Sequence, residues 1–233
     1  IVEESSLYLI KSLGDNLLCI IQARSNSKRF KNKVLHLIYG TPIIQHVVNR
    51  IKRSKKTTKL IVSSSLKKSD DNLISYLKKN RIKFFRGDLE NVAMRLYETA
   101  KTNKAKSFVR VSGDSPLIDP KLIDKAIRIS QKEKKYDIIT NVFPRTFPKG
   151  QSVEVIKTSI IKKYSKNFSK LDKEHVTKYF YDNSNKFLIK NFTFNGKNKI
   201  MKLSVDTKKD LKDILKKFNN KKFKNYSIKL WKL

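Results

Sequence analysis

Residues 17–35 read L-L-C-I-I-Q-A-R-S-N-S-K-R-F-K-N-K-V-L, an apolar run from Leu17 to Ile21 that stops abruptly at a polar, cationic loop. A short continuous apolar run bounded by turn residues reads as a strand buried on both faces, as in a parallel sheet. In open α/β sheets, ligands bind in the loops at the carboxyl ends of such strands. This loop carries Arg24, Ser25, Ser27, Arg29 and Lys33. Guanidinium groups grip phosphate oxygens in pairs, so two arginines and a lysine crowded there make a site for a polyanion. In so basic a chain a solvated loop is the alternative, and the position directly after a buried strand argues against it.

The pattern continues along the chain. Thr41-Pro42 opens an amphipathic stretch to about Arg53, with Ile43, Ile44, Val47, Val48 and Ile51 at helical spacing. Pro42 suits the first turn of that helix. Further strands are expected at Lys59–Ser63, Ile82–Phe85 and Ser107–Val111, and helices at Asp70–Lys79, Asn91–Lys101 and Pro120–Gln131. Such alternation indicates parallel βαβ units and an α/β class, a mostly parallel sheet flanked by helices. After Tyr136 the rhythm changes. Strands at Asp137–Asn141 and Ser152–Ile156 flank a turn at Pro144–Gly150, followed by a helix over Lys173–Asp182 and a strand over Phe187–Phe194. Leu203–Thr207 then feeds a helix with Leu211, Ile214, Leu215 and Phe218 on one face. We expect one domain over 16–218, with a small α+β subdomain at 137–200 inside it. An N-terminal extension (1–15) precedes the domain and a basic tail (219–233) follows it.

Composition narrows the function classes. No apolar run approaches the roughly 20 residues of a membrane span. The chain begins at Ile1, as a fragment or processed chain would, and Glu3 and Glu4 are unlike the basic start of a secretory signal. Cys19 is the single cysteine, which excludes an internal disulfide and suits a reducing, cytoplasmic compartment. The three histidines show no metal-ligand spacing, and His36 and His46 read as structural or surface residues. The net charge of +34 invites a nucleic-acid partner. Yet lysine outnumbers arginine 44 to 10 and is spread over the whole chain, as a coding bias towards A/T-rich codons would produce. Arginine is then the informative cation. Arg24, Arg29, Arg86, Arg95 and Arg110 fall in or beside the segments singled out here.

Two more segments carry candidate chemistry. Arg110–Pro120 reads R-V-S-G-D-S-P-L-I-D-P, which puts the Asp114 carboxylate at the lip of the sheet. Hard oxygen ligands there suit Mg²⁺, which takes one or two carboxylates plus substrate phosphates. A turn or helix cap is the competing role for Asp114. Ser204-Val205-Asp206-Thr207 precedes a helix, and taken alone Asp206 reads as its N-cap.

The order A-R-S-N-S-K-R-F-K-N-K, R-G-D, R-V-S-G-D-S-P-L-I-D, E-H-V-T and V-D-T-K-K-D-L resembles the CMP-sugar cytidylyltransferases over about residues 16–218. That family includes the acylneuraminate and 3-deoxy-manno-octulosonate enzymes, and the resemblance is greatest to the spore-coat polysaccharide branch. It implies a Rossmann-like nucleotidyltransferase fold of the glycosyltransferase-A type. It also implies transfer of CMP from CTP to a sugar or sugar-acid acceptor, with pyrophosphate release. By the resemblance Arg24, Ser27, Arg29 and Lys33 hold the triphosphate. Ala23, Arg86 and Ser112 read the cytosine. Asp114 and Asp206 bind Mg²⁺. Arg24, Lys33 and Asp114 are the catalytic set. Ser152, Glu154, Glu174 and His175 face the acceptor, and residues 137–200 serve acceptor binding and homodimerisation. Two departures stand out. Phe30-Lys31-Asn32 replaces the family's Leu-Pro-Gly, which is expected to alter the loop backbone. Ser152 replaces an acid in Gly-Leu-Asp-Val-Glu, which changes acceptor choice. A sugar-nucleotide-dependent glycosyltransferase of the same fold is the rival reading, weakened by the lack of an Asp-x-Asp triplet. A nucleic-acid-binding protein ranks below both.

Overall fold

The computed structural model describes residues 17–27, 29–57, 59–194 and 202–218, so the expected N-terminal extension and basic tail lie outside the described residues. In chain order the elements begin with β1 (Leu17–Gln22), a two-strand hairpin of β2 (Leu37–Ile38) and β3 (Thr41–Pro42), and α1 (Ile43–Ile51). Next come β4 (Leu60–Ser65), α2 (Asp71–Lys79), β5 (Phe84–Gly87), α3 (Val92–Thr102), β6 (Ser107–Ser112) and α4 (Pro120–Lys132). The later part holds β7 (Ile138–Thr140), β8 (Glu154–Lys157), α5 (Thr158–Tyr164), α6 (Lys170–Glu174), α7 (Lys178–Asp182), β9 (Ile189–Asn191) and α8 (Lys208–Lys217).

One seven-stranded sheet has the order β5-β4-β1-β6-β8-β7-β9. The pairs among β5, β4, β1 and β6 are parallel. β8 runs antiparallel to both β6 and β7, and β7 pairs in parallel with β9. The strands of residues 137–200 therefore extend the main sheet. From β1 the chain steps outward to β4 and β5, then returns to the other side of β1 as β6. That reversal opens a crevice between the carboxyl ends of β1 and β6, the topological switch point where such sheets bind ligands.

The apolar β1 run is explained by burial on both faces, from 9% exposure at Leu17 to 0% at Ile20 and Ile21. Leu17, Cys19 and Ile21 pack with apolar residues of α1, α2 and α4. Leu18 and Ile20 point the other way, into a cluster with α3, α5 and Phe180. A third cluster lies beneath the basic loop, where Phe30, Ile38 and Leu117 meet Leu203, Val205 and Ile214.

Local chemistry sets the helix starts. Asn91 accepts from Met94 N to cap α3. Asp119 caps α4, with Pro120 in its first turn. Thr207 and Asp210 form a reciprocal capping box on α8. Pro42 lies at the N-cap of α1, one position earlier than expected, because it pairs with Leu37 in the hairpin.

Two expectations need correction. The single helix over Lys173–Asp182 is two short helices, α6 and α7, broken at residues 175–177, because the Ser169–Asp172 capping box starts α6 early and His175 ends it at φ −102, ψ 77. The long strand over Phe187–Phe194 shrinks to three residues at the sheet edge.

The Cys19 thiol is buried and its pKa is pushed up to about 12 by loss of hydration. The folded protein should resist alkylation by iodoacetamide at pH 8, and mass spectrometry should show one adduct once urea unfolds it. Prompt modification of the native chain would contradict this burial.

Candidate active site

The site is assembled at the switch point by a close approach of two strand ends. Gly113 N donates to Gln22 O at 2.9 Å, and a Cβ on residue 113 would stand 2.8 Å from that of Ala23. Glycine is required there for the two loops to touch. Ala23 is buried and donates from its amide to Ser63 O.

The basic loop then folds on itself. Ser25 O accepts from Ser27 N and Asn32 N, each at 2.9 Å. Asn32 takes the left-handed conformation at φ 54, ψ 23. Asparagine tolerates that region better than other residues with a Cβ, so it serves where the family's pattern has glycine. Phe30 is 4% exposed, stacks on His36 and joins the third apolar cluster in place of leucine. Asn32 thus supplies an αL-tolerant residue and Phe30 an apolar anchor to the loop.

Three distant segments converge on one ammonium group. Lys33 Nζ donates to Asp114 Oδ2 at 2.5 Å and to Asp206 Oδ1 at 3.2 Å. Asp114 Oδ1 accepts from Ser112 Oγ at 2.7 Å and from Ser115 Oγ at 3.3 Å. The backbone reinforces the meeting, since Val205 N donates to Asp114 O at 2.8 Å and Leu203 N to Lys149 O at 2.7 Å. Gly150, at φ +94, lies so close to Leu203 that a Cβ there would fall 2.5 Å from its carbonyl carbon. Asp206 is also paired with Lys202 at 2.9 Å and Arg29 at 3.5 Å. Burial raises the Asp206 pKa, but hydrogen bonds and charge from Lys202 and Lys33 outweigh it and hold the carboxyl below its ordinary value. The α8 cap is Thr207, which leaves the Asp206 carboxylate facing the site.

Two cavities open here. The first, about 620 Å³, is lined by Arg24, Ser27, Arg29, Lys33, Leu89, Glu90 and Glu174. Arg24 Nη2 donates to Glu174 Oε1 across it at 2.9 Å. The second, about 470 Å³, begins at Ser112 and runs past Ser152, Glu154 and His175. Its floor is the buried Glu154, which accepts from Arg110 Nη1 at 2.5 Å, Thr177 Oγ1 at 2.8 Å and Tyr181 OH at 2.6 Å. Burial and the Glu154 charge raise the Tyr181 pKa well above its ordinary value, so the hydroxyl stays a donor. Arg145 Nη1 donates to Ser152 Oγ at 3.1 Å and has no carboxylate ion-pair partner among the described residues. A larger cavity of about 870 Å³ opens at the opposite end of the sheet, beside Leu17 and Tyr136, and shares none of these residues.

The structure thus brings Arg24, Ser27, Arg29, Lys33, Asp114 and Asp206 together, and groups Ser112, Ser152, Glu154 and His175 around the second cavity. Glu174 lines the first cavity rather than the second. Arg86 lies apart: its guanidinium donates to Ser65 O and Lys67 O and pairs with Asp71. Sequence reasoning missed Arg145, Lys202 and Asp70. Arg145 had a signal, being the last arginine in a lysine-biased chain; the other two had none.

The carboxylate pair fits a hard cation, because an ammonium already occupies the point where Asp114 and Asp206 converge. Among the described residues no group of three or more His, Cys, Asp or Glu could hold a metal. Two carboxylates suit an ion that completes its shell with phosphate oxygens and water. No described helix is long and apolar enough to cross a membrane.

Comparison with known proteins agrees with this geometry. The family described as cytidylyltransferase matches residues 18–229. An uncharacterized protein of Methanocaldococcus jannaschii is 34% identical over 201 residues, 84% of this chain and 80% of its own. The spore coat polysaccharide biosynthesis protein SpsF of Bacillus subtilis is 28% identical over 209 residues, 86% of this chain and 85% of its own. The solved structure of a cytidylyltransferase from Leptospira borgpetersenii superposes with a TM-score of 0.82 at 27% identity, covering 91% of this chain and 92% of that one. The chain belongs to the cytidylyltransferase family.

Proposed function

We propose that the protein transfers CMP from CTP to a sugar or sugar acid, with release of pyrophosphate, in the synthesis of a surface polysaccharide. The observation that carries this reading is the convergence of Lys33, Asp114 and Asp206 beside a cationic cavity, with a second cavity starting at Ser112. The polysaccharide role follows the printed description of the Bacillus relative.

Arg24, Ser27, Arg29 and Lys33 hold the triphosphate, and the backbone at Ala23 with Ser112 faces the base. An acceptor hydroxyl oxygen attacks the α-phosphorus. One P–O bond forms, the bond to the α–β bridging oxygen breaks, and pyrophosphate leaves with that electron pair while the acceptor proton passes to solvent. Catalysis of this kind is mainly positioning plus charge neutralisation, which cations fixed by ion pairs supply. Asp114 and Asp206 would hold Mg²⁺, which when bound neutralises charge on the reacting phosphate.

In the second cavity the Arg110–Glu154 pair is neutral and Lys178 is paired with Asp182, so Arg145 is left to favour an acceptor with an anionic group. Most of that cavity's lining comes from residues 137–200, which supports acceptor binding there. The same stretch exposes Phe143, Leu171 and Leu188, which supports a homodimer formed through it. Such an enzyme belongs in the cytoplasm with its CTP supply.

Pyrophosphate release should occur with CTP, Mg²⁺ and one member of a panel of sugars and nonulosonic acids; release with another nucleotide alone would overturn the assignment. With that acceptor, Asp114→Asn should lose about 100-fold or more of turnover while keeping its circular dichroism spectrum. Asn32→Gly should bind CTP like the native chain. Asn32→Ala should bind less tightly, because a left-handed alanine costs about 1–2 kcal/mol. Equal affinity in both would show that the loop does not need this conformation. Sedimentation equilibrium should give twice the chain mass.

A further inference from the structure

Two ionisable side chains lie wholly inside the protein at the base of the nucleotide cleft, and the chemistry above uses neither. Asp70 is 0% exposed and Arg95 1%. They come from the turn before α2 and from the first turn of α3.

Asp70 is saturated with donors. Its Oδ1 accepts from Ser25 N at 2.6 Å. Its Oδ2 accepts from Ser64 Oγ at 2.8 Å, Ser65 N at 2.9 Å and Ser65 Oγ at 2.5 Å. Burial alone would raise its pKa, but these donors, Ser65 first, hold it below the ordinary value, so the group is a carboxylate at neutral pH. Ser25 is the pivot of the basic loop, since its carbonyl accepts the Ser27 and Asn32 amides. The two oxygens of one carboxylate therefore tie that pivot to the end of β4.

Arg95 holds a second segment of the lining. Its Nη1 donates to Asp88 O at 2.6 Å and Leu89 O at 3.5 Å, and Leu89 and Glu90 line the same cavity as Arg24. Gly87 makes room for it, because a Cβ there would stand 2.9 Å from Arg95 Cγ. Among the described residues, Nε and Nη2 of this arginine have no hydrogen-bond partner. A buried guanidinium with two idle nitrogens is costly and calls for a physical reason. Its charge is attracted by Asp70 and Asp88 and repelled by Arg24.

We propose that Asp70 and Arg95 are positioning residues for the nucleotide. Asp70 fixes the Arg24–Ser27 segment through the Ser25 amide, and Arg95 fixes the Asp88–Glu90 segment through the Asp88 and Leu89 carbonyls. The proposal rests on the reading that the loop after β1 holds CTP.

The test measures CTP affinity by calorimetry with MgCl₂ and no acceptor, well below each variant's melting temperature. Asp70→Asn and Arg95→Met should each weaken CTP binding about tenfold, a typical size for coupling through a packed network. Arg95→Lys, which keeps the charge without the forked donor, should fall between native and Arg95→Met. Hydrogen exchange of the Ser25 amide should quicken in Asp70→Asn. Should Asp70→Asn fail to fold, Ser65→Ala removes one of the four donors and must show a smaller loss in the same direction. Lowered melting temperatures with CTP affinity within twofold of native would reduce both residues to scaffold and overturn the proposal. Arg24→Ala is the separate control: native CTP affinity in that variant would refute the nucleotide site itself.

Discussion

The Lys33 ammonium between Asp114 and Asp206 is the interaction on which the site depends. It joins the loop after β1 to residues 81 and 173 positions further along the chain. Two carboxylates brought this close repel each other, and each is less than a quarter exposed. At an effective dielectric of about 20, unit charges about 4 Å apart interact by about 4 kcal/mol, and desolvation offsets much of what a pair gains. Lys33, Lys202 and Arg29 together balance Asp206 and Asp114. The cluster holds the two carboxylates in place beside the cationic cavity, and desolvation makes it a weak source of stability.

Apolar packing makes that meeting possible. The third cluster draws the segment before α8 and α8 itself under the basic loop, with Phe30 against Leu203, Val205 and Ile214. Gly150 and Lys149 clamp the same segment from the far side, and the Val205 amide seals it to Asp114. These contacts bring a helix from the end of the described chain to the crevice between β1 and β6. The antiparallel β8 contributes next to that crevice as well, since it pairs with β6 and carries Glu154 opposite Arg110. The two cavities are thus neighbours because their strands are neighbours.

Much of the architecture was legible because it is periodic. The β1 run, the helical spacing of α1 and the glycine-aspartate ending of the β6 motif each announce themselves within a dozen residues. The break at residues 175–177 was not legible, because apolar and polar residues continue through it and only the Ser169–Asp172 cap sets the register. Arg86 sits in a motif that suggests base reading, and its Nε and Nη2 donate to the neighbouring Ser65 and Lys67 carbonyls, contacts that no spacing along the chain announces. Asp206 looked like a cap because aspartate and threonine both cap helices, and geometry chose Thr207.

By itself the sequence determined which segments become buried strands and where each one stops, and so which loops carry arginine, lysine and aspartate at one edge of a sheet. That information is local, written in run length and in the period of apolar residues. Only the tertiary structure decided which of those charges meet. Strand order placed β6 on the far side of β1, apolar packing docked α8, and Asp70 tied Ser25 to β4 across 45 residues. Such pairings depend on distances through space that no spacing along the chain encodes.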